Sequence, residues 1–289
     1  VLSQILQRKE NVYMDNMITH VKQKVASSTD EIKRYAELIA YSKYTSLMIT
    51  EDDPSEVLYY NQILSEMIYS TIITNENIYS ISIVDINENV FGFVSKNFTV
   101  FDSLNDKYNA FDENTHLSGF TGLLYSDLDS RYYYAYFMPI YNNSRTSKFN
   151  DKIGTCVILN KIAELDQIVS NTTTTPNSTF MIINSDNEIL ASSNDNLVDN
   201  QSSTHMLSSL IKENAKGQFT ETFMGSKSII QYETIAQTDW KIISIVPLNE
   251  INADLNKQLI YELLFFIILI KDFHWIYHYI ISIRNFYQS

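Results

Sequence analysis

Residues 179–193 read TFMIINSDNEILASS, two apolar runs on either side of Ser185, Asp186 and Asn187. Short Ile- and Leu-rich runs broken by three turn-forming residues predict a β-hairpin, Thr179 to Asn184 returning as Glu188 to Ser192. Residues 229–251, IIQYETIAQTDWKIISIVPLNEI, repeat the pattern. They predict strands over Ser228 to Ile235 and Trp240 to Val246, joined through Gln237 to Asp239, with Pro247 ending the sheet because proline cannot donate to a ladder. A further strand, Gln218 to Phe223, precedes them across a turn at Met224 to Ser226, and a helix is expected over His205 to Asn214. Trp240 opens its strand directly after a turn, which suits a core anchor.

The chain before this unit has the same order at greater length. Ile78 to Ile86 and Val90 to Ser95 flank Asn87, Glu88 and Asn89 and predict a first hairpin. Arg131 to Tyr141 and Ile153 to Asn160 are the next strands, and a short helix through Ala163, Leu165 and Ile168 closes the unit. Between them, Lys96 to Ser130 is polar and carries aromatics at Phe98, Phe101, Tyr108, Phe111 and Phe120; connections of that length in compact domains are usually lids or binding elements. Asn171 to Ser178, with four consecutive threonines and Pro176, reads as a linker.

Two helices come first. Ile18, Val25, Ile32 and Ile39 recur every seven residues, with Val21 and Tyr35 interleaved, so Met14 to Ile39 carries one apolar stripe for three heptads. Such a stripe fits a dimer seam or the packing of the helix along its own domain. Pro54 onward predicts a second helix, with Asp53 at the N-cap and Pro54 in the first helical position. At the other end, Asn249 to Lys257 leads helically into an apolar, aromatic segment, Leu259 to Ile283, interrupted by Glu262, Lys271 and Asp272. Each charge near a bilayer centre costs roughly 2.5–3.5 kcal/mol. The segment is therefore read as an altered or truncated membrane span, or else as an interfacial or core helix.

Composition narrows the function. A net charge of −13 over 289 residues argues against a nucleic-acid partner, since phosphate binding needs clustered Lys and Arg. Six glycines leave no phosphate-cradling loop, and the single cysteine, Cys156, excludes a disulfide framework and reads as a small core residue. His274 and His278 have a metal-ligand spacing but no accompanying acid, and no nucleophile–base pair is evident. No catalytic residue, metal or cofactor is therefore expected. The ligand-site candidates are Arg131, a cation at the end of a strand, with Tyr132, Tyr134 and Tyr136 on one face by period-two geometry and Tyr125 nearby. Alternating tyrosines that simply pack a sheet against a helix give the same pattern.

TFMIINSDNEILASS and IIQYETIAQTDWKIISIVPLNEI, and more loosely IYSISIVDINENVFGFVS, RYYYAYFMPIYN and KIGTCVILNKI, resemble the double Cache family of bacterial extracellular sensors. The resemblance covers nearly everything from Met14 to Lys257. It implies an α+β fold, a long N-terminal helix followed by two PAS-like antiparallel-sheet units. The units would divide as residues 1–74 (helical stalk and second helix), 75–171 (membrane-distal), 172–250 (membrane-proximal) and 251–289 (exit helix and membrane segment). It implies further a small-molecule ligand in the distal unit, with residues 1–257 outside the cytoplasm and the chain held at a cell membrane, and a homodimer through the N-terminal helix as one option. Amino-acid-binding members carry a Tyr, Arg, Trp and Asp signature; Tyr125 and Arg131 correspond in type, but no tryptophan precedes Trp240. The output expected is a sensor histidine kinase whose kinase module is absent from this chain, with a chemotaxis receptor as alternative. A membrane-anchored enzyme and a dimerisation stalk are the rival readings.

Overall fold

A computed structural model describes residues 2–87, 89–91, 118–126, 129–142, 151–172, 175–194, 197, 211 and 214–286. The first helix, α1 (Leu2–Ala40), is longer than the heptad stripe that announced it. A short helix that periodicity had not suggested, α2 (Lys43–Thr50), follows, capped by the Ser42 side chain. The next, α3 (Pro54–Thr74), starts where the sequence places it: the Asp53 carboxylate accepts a hydrogen bond from the Ser55 N–H at 2.8 Å, satisfying a donor that the first turn leaves open.

The first sheet contains β1 (Ile78–Asp85), β2 (Val90–Phe91), β3 (Gly119–Phe120), β4 (Leu124–Ser126), β5 (Arg131–Tyr141) and β6 (Lys152–Lys161). Its order is β2-β1-β6-β5-β3, with β4 also pairing with β5, and every pairing is antiparallel. Helix α4 (Ala163–Ser170) leads to a second antiparallel sheet of β7 (Thr179–Ile183), β8 (Ile189–Ser192), β9 (Lys216–Phe223), β10 (Ser226–Thr234) and β11 (Lys241–Pro247), ordered β8-β7-β11-β10-β9. The β7–β8 turn has Asn187 at φ 63°, a left-handed conformation that asparagine tolerates well. Met224 and Gly225 both have positive φ between β9 and β10, as a tight two-residue hairpin turn requires. Most of the expected helix over 205–214 and most of the aromatic connection over 96–130 lie outside the described residues.

The apolar stripe of α1 lies against the chain's own sheets. Ile18, Val21, Val25, Ile32 and Ile39 are at most 2% exposed and belong to the main core. That core also contains Tyr134, Met138 and Ile158 from the first sheet and Phe180, Ile182 and Ile242 from the second. The seam reading of this stripe is therefore corrected: the stripe is consumed within one chain, and the outward positions Asn16, His20, Gln23 and Arg34 are polar.

The last helix, α5 (Leu248–Phe286), begins directly after β11. It exposes Ile260, Leu263, Phe265, Phe266, Ile267 and Phe273. Among the described residues, however, no helix is long and apolar enough to cross a membrane. The expected span over 259–283 is not met in this form, because Glu262, Lys271 and Asp272 break the apolar run.

Truncating Ile32 should cost about 2–5 kcal/mol, since it removes core volume from both units at once. Truncating the exposed Leu38 on the same helix should stay within about 0.5 kcal/mol. Denaturant unfolding of Ile32→Ala and Leu38→Ala measures both, and equal effects would show that α1 does not complete the core.

Candidate functional site

Strand β5 organises the first unit because both of its faces are covered. Tyr133, Ala135 and Phe137 point to one face, where they pack with Leu124, Val157 and Leu159. Tyr134, Tyr136, Met138 and Ile140 point to the other, under α1. The register sets Arg131 opposite Ser126, Tyr132 opposite Tyr125 and Tyr133 opposite Leu124.

The sequence-derived site residues divide between two environments. Arg131 is exposed at the start of the strand, and Tyr125 and Tyr132, 44% and 42% exposed, meet at a tilt of 54° with centroids 5.0 Å apart. Tyr134 and Tyr136 do not join them. Tyr134 is wholly buried, and Tyr136, nearly so, borders a small cavity of about 60 Å³ with Thr29, Phe120 and Gln237. Period two correctly puts Tyr132, Tyr134 and Tyr136 on one side of the sheet. The strand begins beyond the edge of the core, so the first of the three is left open while α1 covers the other two.

Sequence reasoning missed Asp129, Tyr133 and Tyr79. The Tyr133 hydroxyl donates to the Asp129 carboxylate, and its ring lies 4.6 Å from that of Tyr79. Burial acts against ionisation of Asp129, but the Tyr133 hydroxyl, neighbouring Ser126 and both the backbone and charge of Arg131 outweigh it, holding the carboxyl below its usual range. Burial, and then the bond to Asp129, push the Tyr133 phenol upward. The turn between Asp129 and Arg131 places Ser130 at φ 54°. An anion and a cation thus sit two residues apart beside a tyrosine-lined sheet end. The signal available in the sequence was Asp-Ser-Arg ahead of a tyrosine run.

The same strand forms the junction with the second unit. Phe120 lies 4.6 Å from Tyr136 and 5.1 Å from Trp240, and Trp240 meets Tyr134 edge-on at 5.4 Å. Trp240 is fully buried, as expected of a core anchor, but the core it anchors is shared by both units. Beside it, Thr121 bridges to β5, its N–H donating to Ala135 O at 2.8 Å and its hydroxyl accepting from Ala135 N at 2.9 Å. Leu123 N–H then donates to the Glu188 carboxylate of the β7–β8 turn at 3.2 Å, which Asn184 Nδ2 also contacts at 2.9 Å. Gly122 lies between: a methyl group there would overlap the Glu188 carboxylate and come within 2.7 Å of Asn184 Nδ2.

A long helix laid along two antiparallel sheets that share a core is the architecture of a two-unit sensory domain. The chain belongs to the Cache domain family, whose double-Cache model matches residues 2–255. Comparison with curated proteins gives no match. Among solved structures, it is similar to the sensory domain of the Campylobacter jejuni chemoreceptor Tlp3 with isoleucine bound, at 15% identity and a TM-score of 0.59, covering 86% of this chain and 97% of that one. The extracellular domain of the putative histidine kinase mmHK1S-Z3 gives 14% identity and a TM-score of 0.62 at the same coverage. The ligand-binding domain of the Pseudomonas fluorescens chemoreceptor CtaA in complex with L-isoleucine gives 10% and 0.60, again covering 86% and 97%.

Gly122→Ala should destabilise the protein by about 1–3 kcal/mol, because the added methyl displaces the Glu188 carboxylate and breaks its hydrogen bonds from Leu123 N–H and Asn184 Nδ2. In a Glu188→Ala background the same change should cost much less. A double-mutant cycle by chemical denaturation measures the coupling, and strict additivity would show that Gly122 and Glu188 do not meet.

Proposed function

We propose that this chain is the extracytoplasmic sensory region of a bacterial membrane receptor. It takes a small ligand at the β4–β5 end of the first sheet and relays a shift through the second sheet into α5. The observation that carries this reading is the Asp129, Arg131 and Tyr133 constellation, on the strand that also forms the junction with Trp240. Arg131 holds an anionic group bidentately, Tyr125 and Tyr132 form an aromatic wall beside it, and Asp129 balances charge at the rim. The first unit is the membrane-distal one and the second the proximal relay, with residues 1–257 outside the cytoplasm and the apolar face of α5 directed to the membrane. No catalytic step is assigned to any residue.

A ligand bearing a carboxylate suits Arg131. Amino acids are the first class to test, because similar domains were solved with isoleucine, L-valine and asparagine bound. The absence of a tryptophan before Trp240 departs from the amino-acid signature, so organic acids belong in the same screen. The output favoured is a sensor histidine kinase. A chemotaxis receptor is the second reading, supported by the presence of both receptor types among the similar structures. A homodimer contact through α1 would use its polar outward face, since the apolar stripe is buried.

A thermal-shift screen of amino acids, organic acids, sugars and amines should yield a ligand that stabilises by about 2.7 kcal/mol at a hundredfold excess over its dissociation constant. Arg131→Ala should then weaken that ligand by about 2–5 kcal/mol, roughly thirtyfold to several-thousandfold, while leaving the fold intact. An unchanged dissociation constant in this variant would remove Arg131 from the site.

A further inference from the structure

Helix α3 carries apolar side chains on two faces. Leu64 and Ile68 are buried in the main core on the inner one. On the outer one Leu58, Tyr59, Tyr69 and Ile73 are each more than half exposed. A helix turns by about 100° and rises about 1.5 Å per residue, which gathers these four, with Gln62, Glu66 and Ser70, into one stripe about 120° wide and about 22 Å long. A helix that is apolar on its solvent side as well as its core side has a second surface to cover.

Single exposed apolar residues are ordinary on a protein surface, and a continuous stripe of them is not. The outward face of α1 shows the ordinary case, with Asn16, His20, Gln23, Lys24 and Arg34 turned to water. Along α3 from Leu58 to Thr74 the sole charged residue is Glu66.

Charge and area select a second copy of this chain as the occupant. With a net charge of −13, two copies repel over most of their surfaces, and their approach costs least through a face that holds a single carboxylate. Side chains of this size, more than half exposed, each leave on the order of 100 Å² to cover, so the stripe and the polar positions within it offer roughly 600–800 Å², close to the 800 Å² or so that each partner gives to a standard interface. A two-fold contact also has to complement itself, which an apolar, nearly neutral stripe does in either direction.

We propose that α3 pairs with α3 of a second copy about a two-fold axis through the middle of this stripe. Glu66 lies there, eight residues after Leu58 and seven before Ile73. Whether the two helices run parallel or antiparallel, the axis sets the two Glu66 carboxylates near one another, so the contact carries an opposing charge of its own. The pairing is separate from the ligand site proposed around Arg131 and stands whether or not that reading holds. Because α3 runs directly into β1 and packs against it, the contact joins two copies through their first units.

Sedimentation velocity of the whole chain, together with disulfide trapping, tests the pairing. The unaltered chain should show a concentration-dependent equilibrium of monomer and dimer. Leu58→Glu combined with Ile73→Glu should weaken the dimer by about tenfold or more at an unchanged melting temperature, since both positions are exposed in the single chain and meet the second copy in the dimer. Glu66→Gln should tighten it by roughly twofold to fivefold, as relief of one like-charge contact between surface groups does, and a partner of another kind would give no such gain in self-association. Glu66→Cys should yield a disulfide-linked dimer on mild oxidation, the native Cys156 being buried, whereas Gln23→Cys on the outward face of α1 should not. Trapping through Gln23→Cys but not through Glu66→Cys, association unaffected by Leu58→Glu with Ile73→Glu, or association abolished by Phe265→Asp with Phe266→Asp on α5 would each overturn the assignment. A chain that sediments as a monomer at every concentration would overturn it as well.

Discussion

Burial of the α1 stripe is the interaction that joins the two units. Met14 closes a cluster with Ile229, Val246 and Ile251 in the second unit, while Ile18 to Ile39 complete a core that draws on both sheets. Each such side chain contributes about 1.5–3 kcal/mol on removal from water. The face that each sheet turns to α1 is not closed without the helix, so the units cannot separate without exposing both of those faces. Charged contacts along the same helix act differently. Lys22 pairs with Glu233, and Lys216 lies 2.9 Å from Asp15 and 3.6 Å from Glu233, joining α1 to β9 and β10. The exposed Lys216–Asp15 pair adds little stability and is screened by salt, while the half-buried Lys22–Glu233 pair is screened less; together they set the register of the helix on the second sheet.

The strands were legible because turn residues punctuate them. Asn187, the Met224–Gly225 pair and the Ser185 to Asn187 turn each fall where left-handed backbone or a two-residue loop was needed, and Asp53 with Pro54 announced α3. The site was less legible, for a reason visible in β5. Alternation states which side chains share a face of a strand. It does not state which element will cover that face, and Tyr134 and Tyr136 lie beneath a helix more than ninety residues earlier in the chain. A heptad stripe has the same ambiguity, since its apolar positions serve a partner helix or the chain's own sheets equally well. Tyr133 and Asp129 escaped notice because a hydrogen bond across a turn leaves no periodic trace.

Strand β5 combines two roles that are often separate. Its first residues face the proposed ligand, and Tyr134 and Tyr136, three to five positions later, contact Phe120 and Trp240 at the junction. An extended strand rises about 3.3 Å per residue, so the distance from Arg131 to the junction is on the order of 10–15 Å with no flexible connection between them. A close-packed aromatic cluster transmits a displacement in preference to absorbing it, because an interior at crystal-like density has little room for compensation.

The route continues without a loop. Trp240 directly precedes β11, and Pro247 at the end of β11 is followed immediately by α5, so the junction and the exit helix are two ends of one seven-residue strand. A second tie reaches α5 from the opposite side: the Glu250 carboxylate accepts the Asn177 N–H at 3.1 Å and contacts its side-chain amide, joining the segment between α4 and β7 to the first turn of the helix. Burial opposes ionisation of Glu250, but Thr175 and Asn177 outweigh it and hold the carboxyl below its usual range. The first turns of α5 are therefore held by its continuity with β11 of the second sheet, by the tie to Asn177, and by the packing of Ile251 with Met14 and Ile229. A ligand at the proposed site can move the helix only to the extent that it binds one arrangement of these contacts better than the other.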